Sequence, residues 1–191
     1  MAGYKKTRID GVYEIKPKFF SDSRGFFYES FNEKEFERET GISFHPVQEN
    51  ISKSCAGVIR GFHLQNEPYA QAKLVTVIKG SVIDVAVDLR KGSKTFGKSV
   101  WINLTEDNRK QFFIPKGFAH GFLVLSDEAL FQYKVDEYWH PESEEGVAWN
   151  DKDINFEWKH WLSAINIKNP ILSEKDKVRK TLEMYKLEHN I

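Results

Sequence analysis

The sequence predicts an all-β barrel or sandwich with short helices near both ends. Short runs of β-branched and aromatic residues recur along the chain, Gly and Pro turn signals separate them, and helical patterns are confined to the two end regions. We find no internal repeat or low-complexity linker, so residues 1–191 are expected to form a single domain, which is long enough for one sizeable core.

The N-terminal part contains two predicted strands and one predicted helix. Val12–Ile15 and Gly25–Phe31 have apolar residues at strand spacing. Asn32 stands where a helix N-cap is expected and Gly41 where a helix ends, so the sequence predicts a helix over Glu33–Thr40.

The strongest β pattern is KLVTVIKGSVIDVAVDL, Lys73–Leu89. Lys79-Gly80 falls between two β-branched runs, which is typical of a hairpin. In the second run, one strand face is wholly apolar and the other carries two acids. The apolar face has Ile83, Val85, Val87 and Leu89; the other has Val82, Asp84, Ala86 and Asp88. This run belongs inside a barrel, where the acids either line a cavity or make turn and edge contacts.

Further strands follow a turn-rich connection at Lys91–Gly97. They are predicted at Ser99–Leu104, Gln111–Ile114, Gly121–Leu125 and Ala129–Lys134. The pattern becomes irregular after Trp149–Asp151. From Ser173 onward, Val178, Leu182 and Tyr185 have helical spacing, which predicts a short helix against the barrel.

Composition and charge argue against several classes of protein. Lys+Arg and Asp+Glu both number 28, so the zero formal net charge disfavours nucleic-acid and membrane-surface binding. The single Cys55 cannot form a disulfide or a cysteine zinc site within one chain. No secretory signal or membrane-spanning apolar run is present, so we expect a cytoplasmic protein.

Two motifs, GVIRGFH at Gly57–His63 and PKGFAHGF at Pro115–Phe122, indicate a functional site. They supply Arg60, His63 and His120. Strict strand alternation puts Arg60 and His63 on opposite faces unless a bulge intervenes. The motifs therefore predict acid–base chemistry beside an anion-binding arginine.

The spacing of these motifs resembles the two boxes of the cupins, a family of β-barrels. The residues that fit are Gly57, His63 and Gly80 in the first box, and Pro115, Gly117 and His120 in the second. Gln65 stands where the first box has its second histidine, and the expected glutamate is missing. A metal site normally needs three or four N or O ligands, so we expect no metal.

Six blocks in order closely resemble the dTDP-4-dehydrorhamnose 3,5-epimerase family of metal-free cupins. They are Asp22–Phe31, Val47–His63, Gln71–Ser93, Phe112–Ala129, Tyr133–Asp151 and Ile171–Asp176. The resemblance implies a cupin-type barrel or jelly roll and a cofactor-independent epimerase acting in dTDP-rhamnose or related deoxysugar biosynthesis. The implied substrate is a dTDP-4-keto-6-deoxyhexose, inverted at C3″, with C5″ also expected. A homodimer with strands shared between barrels is implied as well.

The resemblance also implies roles for individual residues. His63 matches the general base, Asp176 the carboxylate that orients it, Tyr133 the acid on the opposite face, and Lys73 the cation beside the keto oxygen. Trp139 falls where the family stacks a tyrosine on thymine. The other matched substrate contacts are Arg24, Glu29, Gln48, Glu49, Asn50, Arg60, His120, Tyr138, Glu144 and Lys175.

The sequence departs from the family pattern at a few positions. Trp139 replaces the usual tyrosine, Glu49 replaces an aspartate, and Ile51 stands where a histidine is common. The segment Glu157–Pro170 is longer than usual, which makes the match of Lys175 and Asp176 less secure than that of His63.

Four alternatives remain open at this point. An epimerase acting on C3″ only would use the same residues. A 3,4-ketoisomerase is disfavoured by the full pattern from RGFH to LSEKD. A non-catalytic cupin that binds a nucleotide sugar would have no reason to hold Tyr133 together with His63 and Asp176. Gln65 argues against a metal-dependent oxygenase.

Overall fold

The computed structural model describes residues 2–191, which form strands and a few short helices. The strands are β1 (Gly3–Lys6), β2 (Tyr13–Lys16), β3 (Phe19–Asp22), β4 (Gly25–Tyr28), β5 (Gln48–Cys55), β6 (Ile59–Gln65), β7 (Lys73–Lys79), β8 (Ser81–Asp88), β9 (Ser99–Thr105), β10 (Gln111–Ile114), β11 (Phe118–Val124), β12 (Glu128–Val135) and β13 (Glu144–Gly146). The helices are α1 (Glu33–Thr40), α2 (Trp158–Ala164), α3 (Glu174–Lys177) and α4 (Leu182–His189), with a 3₁₀ turn at Pro141–Ser143.

The strands form two antiparallel sheets and a separate hairpin. The six-stranded sheet has the order β1-β2-β10-β7-β12-β5, and the five-stranded sheet has the order β13-β6-β11-β8-β9. Strands β3 and β4 pair only with each other. One buried cluster joins Val75, Phe112 and Phe131 of the first sheet to Leu104 and Phe118 of the second. The sheets therefore enclose a common core, and the predicted all-β, cupin-type fold is confirmed.

Strand β8 confirms the two faces predicted from its alternating residues. Val82 and Ala86 lie in the core between the sheets. Ile83, Val85 and Val87 belong to a second cluster, which α2 and α4 cover with Trp158, Leu162, Leu182 and Tyr185. Both faces of the strand are buried, because the other sheet covers one and the C-terminal helices cover the other.

The predicted hairpin at Lys79-Gly80 is wrong. Strands β7 and β8 follow each other directly, yet β7 pairs with β10 and β12 while β8 pairs with β9 and β11. Gly80, with φ +83°, takes the chain from one sheet to the other. A Cβ there would lie 2.1 Å from the carbonyl oxygen of Glu128, so the crossing requires glycine.

The helix predictions had mixed outcomes. Helix α1 has the predicted bounds because the Asn32 side chain caps its first turn and Gly41 ends it with φ +71°. Helix α2 was missed, since Glu157, at the N-cap position just before it, makes no side-chain cap. Val178 was expected on the buried side of a C-terminal helix but is 81% exposed, because α3 ends before it.

No helix in residues 2–191 is long and apolar enough to cross a bilayer.

Candidate active site

The site is built around a histidine–aspartate pair that joins distant parts of the chain. His63 lies on β6, and its Nε2 is 2.5 Å from Oδ1 of Asp176 on α3. Ser173 caps α3 and donates its hydroxyl to the other Asp176 oxygen at 2.8 Å. An ionised Asp176 therefore holds the Nε2–H of His63 and leaves Nδ1 as the proton acceptor.

The surroundings of His63 keep it neutral. Burial lowers the pKa of His63, Asp176 opposes this, and the nearby cations Arg179 and Lys73 lower it further. Burial raises the pKa of Asp176, but the bonds from His63 and Ser173 outweigh that effect and leave it below its usual range. A neutral imidazole beside an ionised carboxylate is the state required of a general base.

A second histidine lies beside the first and faces the core. His120 on β11 is directly opposite His63 in the strand register. Its Nε2 is 2.9 and 3.0 Å from the two oxygens of Asp84, and its ring stacks on Phe131 of the opposite sheet. Asp84 is fully buried and pairs with this histidine, so it makes a contact between adjacent strands inside the sheet. Asp88 instead binds Arg90, Ser93 and Thr95 in a turn.

A β-bulge brings Arg60 to the face that His63 occupies. His120 pairs with His63, but Phe122 pairs with Arg60, so β6 holds one more residue than β11 across this interval. The extra residue cancels the alternation that would have separated Arg60 from His63. Arg60 donates from Nε to Ser54 of the opposite sheet at 3.2 Å and lies close enough to Tyr133 to favour its ionised form.

The six-stranded sheet supplies Lys73 and Tyr133 from its inner face. Lys73 shares a β7 face with the core residues Val75 and Val77, and Tyr133 on β12 packs against that core directly opposite Val75. Burial lowers the pKa of Lys73 to about 8, although Asp84 and Glu144 oppose it. Burial also raises the pKa of Tyr133, which keeps its phenol protonated.

The rim of the site is formed where β5 and β13 meet the segment after β12. Gln48 accepts from the backbone of Trp139 at 3.2 Å and donates to Asn50 at 3.0 Å. Tyr138 and Trp139 are 59% and 57% exposed. The carboxylate of Glu144 accepts from the Trp139 indole at 3.4 Å.

Cations of the C-terminal segment also converge on Glu144. The Lys175 ammonium lies 3.6 Å from this carboxylate, and Arg179 binds it at 2.7 Å.

The side chain of Gln65, at the position of the absent metal ligand, makes only structural contacts. It donates to the backbone carbonyls of Tyr69 and Tyr138 and accepts from the backbone N–H of His140. Its amide therefore holds the rim segment in place. Within residues 2–191, the grouping of acids and histidines with metal-like spacing is Glu145, Glu188 and His189, and Lys180 already pairs with both of those acids.

Three predicted contacts do not reach this cluster within one chain. Glu49 points to the outer face of β5, where it pairs with Lys134 and Gln132, because the residue faces alternate and Asn50 takes the inner position. Arg24 lies at the tip of the β3–β4 hairpin, 89% exposed and paired with Asp22. Glu29 is exposed and accepts a hydrogen bond from Asn32, three residues along the chain.

Comparisons with known proteins agree with this geometry. Residues 6–184 match the family model of the dTDP-4-dehydrorhamnose 3,5-epimerases. An epimerase of that description from Shigella flexneri is 53% identical over 171 residues, which is 90% of this chain and 91% of the relative. The chain belongs to the dTDP-4-dehydrorhamnose 3,5-epimerase family.

Solved structures of this family have the same fold. That of the Elizabethkingia anophelis epimerase has a TM-score of 0.88 at 48% identity, covering 96% of this chain and 97% of the other. That of the Legionella pneumophila epimerase, in complex with dTDP-4-keto-L-rhamnose, has a TM-score of 0.90 at 44% identity, covering 98% and 96%. The protein is thus an isomerase-class enzyme of a family that acts on dTDP sugars.

Sequence reasoning missed two groups in the site of this epimerase. Ser173 follows the N-cap pattern and was recoverable from its position three residues before Asp176. Arg179 belongs to none of the motifs that carry the family resemblance, and only the fold brings it to Glu144.

Proposed function

We propose that this enzyme epimerises a dTDP-4-keto-6-deoxyhexose at C3″ and C5″ without a cofactor, giving dTDP-4-dehydrorhamnose from dTDP-4-dehydro-6-deoxyglucose. The observation that carries the proposal is the His63–Asp176 pair at 2.5 Å, on the strand next to His120 and facing the core that Tyr133 and Lys73 also face. Membership of the epimerase family supports it independently.

His63 is the proposed general base. Its Nδ1 takes the proton from the carbon next to the C4″ ketone, and the C–H electron pair moves to the carbonyl oxygen as an enolate. Asp176 fixes the imidazole tautomer and stabilises the imidazolium that forms. Because the ketone accepts the electrons, this step needs no redox partner.

Lys73 is the proposed partner of the enolate oxygen. Its position on the inner face of β7, near the buried Asp84, gives a half-buried cation beside the core. A charge preorganised in such a place stabilises a developing oxyanion more strongly than it would in water.

Tyr133 is the proposed acid. It projects from the six-stranded sheet, whereas His63 projects from the five-stranded sheet, so a sugar ring between them meets the base on one face and the acid on the other. The phenol gives its proton to the carbon face opposite to the one deprotonated, which inverts the centre.

The remaining inner and rim residues are proposed to bind the nucleotide sugar. Trp139 offers an exposed ring for stacking on thymine. Arg60 offers a cation suited to the diphosphate. The other proposed contacts are Gln48, Asn50, His120, Tyr138, Glu144 and Lys175.

A homodimer is proposed to complete the site. The β3–β4 hairpin pairs with no other strand and exposes Phe20, Phe26 and Phe27 by 51%, 61% and 69%. An apolar hairpin of this kind is a docking element. Arg24 and Glu29, predicted to contact the substrate, would then do so in the partner's barrel. The single domain and the cytoplasmic location stay predictions.

The test is proton NMR in deuterium oxide with dTDP-4-keto-6-deoxyglucose. We expect the hydrogens on C3″ and C5″ both to exchange with solvent and a rhamno-configured product to appear. Exchange at C3″ alone would identify an enzyme that inverts one centre. Migration of the carbonyl from C4″ to C3″ would identify a 3,4-ketoisomerase. If neither hydrogen exchanges while dTDP binds, the protein is a binding module and the proposal fails. Size-exclusion chromatography with light scattering tests the dimer, which a monomeric mass would rule out.

A further inference from the structure

Two neighbouring cations clasp two neighbouring carboxylates where the C-terminal segment meets β13. Arg179 binds Glu144 at 2.7 Å, and Lys180 binds Glu145. The backbone adds a parallel bridge between Val147 and Lys180, and the Ala148 N–H donates to the Lys180 carbonyl at 2.8 Å. The clasp thus attaches to the five-stranded sheet the chain that directly follows Asp176.

The two halves of the clasp face different surroundings. Successive residues of a strand point to opposite faces, so Glu144 and Glu145 diverge. Glu145 faces Asn66 and His189 near the end of α4. Glu144 faces the site, where Trp139 and Lys175 also approach it. The Lys180 half is therefore structural, while the Arg179 half borders the reacting groups.

The Arg179 guanidinium is buried but not fully hydrogen-bonded, which a purely structural ion pair would not require. Its side chain is 13% exposed, and its Nε is the buried side-chain polar atom that lacks a hydrogen-bond partner in residues 2–191. An unpaired buried donor is unfavourable, because it has lost its hydrogen bonds to water without replacing them. Lys180, by contrast, has carboxylates from both Glu145 and Glu188. Arg179 thus places a positive charge next to the site although one of its donors has no hydrogen-bond partner.

We propose that Arg179 is a positioning residue of the epimerase: it holds Glu144 so that the α3 segment presents Asp176 to His63. This inference rests on the proposed base role of His63. The fold relates the residues directly, since Asp176 and Arg179 are three positions apart on the segment that Glu144 anchors.

The charged groups around His63 act in opposite directions. Asp176 from α3 favours the imidazolium, whereas Arg179 and Lys73 disfavour it, in the same direction as burial. Glu144 from β13 and the His120–Asp84 pair on the adjacent strands complete the surroundings. Removing the Arg179 charge takes away one cation and leaves Glu144 less compensated. Both changes raise the pKa of His63.

The experiment compares Arg179→Gln, Arg179→Lys and the matched control Lys180→Gln in the full chain. For each, the kcat of sugar epimerisation, the pH profile of kcat/KM and the melting temperature are measured. We expect Arg179→Gln to lower kcat about tenfold, because the proposed base loses part of its orientation. The acidic side of the pH profile of kcat/KM for this variant should move to higher pH, because the pKa of His63 rises. Arg179→Lys should have a kcat and an acidic limb close to those of the wild type, since the positive charge is kept.

Lys180→Gln should lower the melting temperature while leaving kcat and the acidic limb near those of the wild type. The inference is overturned if folded Arg179→Gln keeps the wild-type kcat and acidic limb, or if Lys180→Gln changes both as strongly. If the Gln variant does not fold, Arg179→Met, which keeps the buried stem, gives the same readouts. A wild type without solvent exchange would instead refute the proposed function.

Discussion

Two histidine–aspartate pairs have their imidazoles side by side in one sheet, but the surroundings of the two pairs differ. His63 and His120 are register partners on adjacent strands. The His63 side chain is 31% exposed and takes its carboxylate from a segment beyond both sheets. The His120 side chain is 9% exposed and takes its carboxylate from the neighbouring strand. The two pairs thus differ in where the carboxylate lies and in how accessible the ring is, and this difference favours His63 over His120 as the proposed base.

The strongest test of this comparison removes each imidazole in turn. His63→Ala should lower kcat by about 10³-fold, within the range that a positioned general base contributes, while dTDP still binds. His120→Ala should mainly raise KM, since it removes a proposed substrate contact. Steady-state kinetics and calorimetric titration with dTDP measure the two effects. Equal losses of kcat in the two variants would mean that the pairs are not functionally distinct.

Removing each carboxylate should separate catalysis from stability. Asp176→Asn should reduce kcat about 10²-fold in a folded protein, since the imidazolium loses its counter-charge. Asp84→Ala should lower the free energy of unfolding by about 3 kcal/mol, because it leaves a buried histidine without its partner. Urea unfolding and kcat are measured on both variants. A stable Asp84→Ala protein would show that its pair does not support the core.

In the pH profile of kcat/KM, the His120–Asp84 pair should affect the basic side and the His63–Asp176 pair the acidic side. The value of kcat/KM should fall above about pH 8, where Lys73 loses its proton. On the acidic side, the midpoint of the fall in kcat/KM should lie below pH 6.5, because the pKa of His63 is lowered. Asp84 raises the pKa of Lys73, so Asp84→Asn should move the upper limb to lower pH. Asp176 raises the pKa of His63, so Asp176→Asn should move the lower limb to lower pH. The measurement is the pH profile of kcat/KM for both variants. If both substitutions shift the same side of the profile, the assignment of Lys73 to the basic side and His63 to the acidic side is wrong.

The smallest expected effect concerns the support of Asp176. Ser173→Ala removes the hydroxyl that holds the second Asp176 oxygen and caps α3. Because His63 still holds the carboxylate, kcat should fall only about threefold, and stability by about 1 kcal/mol, the usual value of an N-cap. A loss as large as that of Asp176→Asn would place the orienting role in the cap as well.

Local patterns predicted those parts of the fold that depend on near neighbours in sequence. The two faces of β8 followed from alternation, and α1 followed from Asn32 and Gly41. The hairpin at Gly80 failed because the same turn residue can join strands of different sheets. The shared face of Arg60 and His63 depends on a bulge, which only the partner strand defines.

Predictions for the site divided in a similar way. The inner positions of Asn50 and Tyr133 agree with the roles that the family resemblance implies. The outward direction of Glu49 follows from the register of β5 with β12, which its own sequence does not encode. Arg179 reaches Glu144 across 35 positions through a docking event, and no motif marks it.

The separation of 113 positions between His63 and Asp176 has a consequence for synthesis of the enzyme. Every strand of both sheets precedes Asp176 in the chain, so a nascent barrel can assemble on the ribosome before the carboxylate has been made. Such a barrel would hold the proposed base without the carboxylate proposed to orient it. The His63–Asp176 pair therefore forms late, only after the segment that follows β13 has been released and has docked on the barrel.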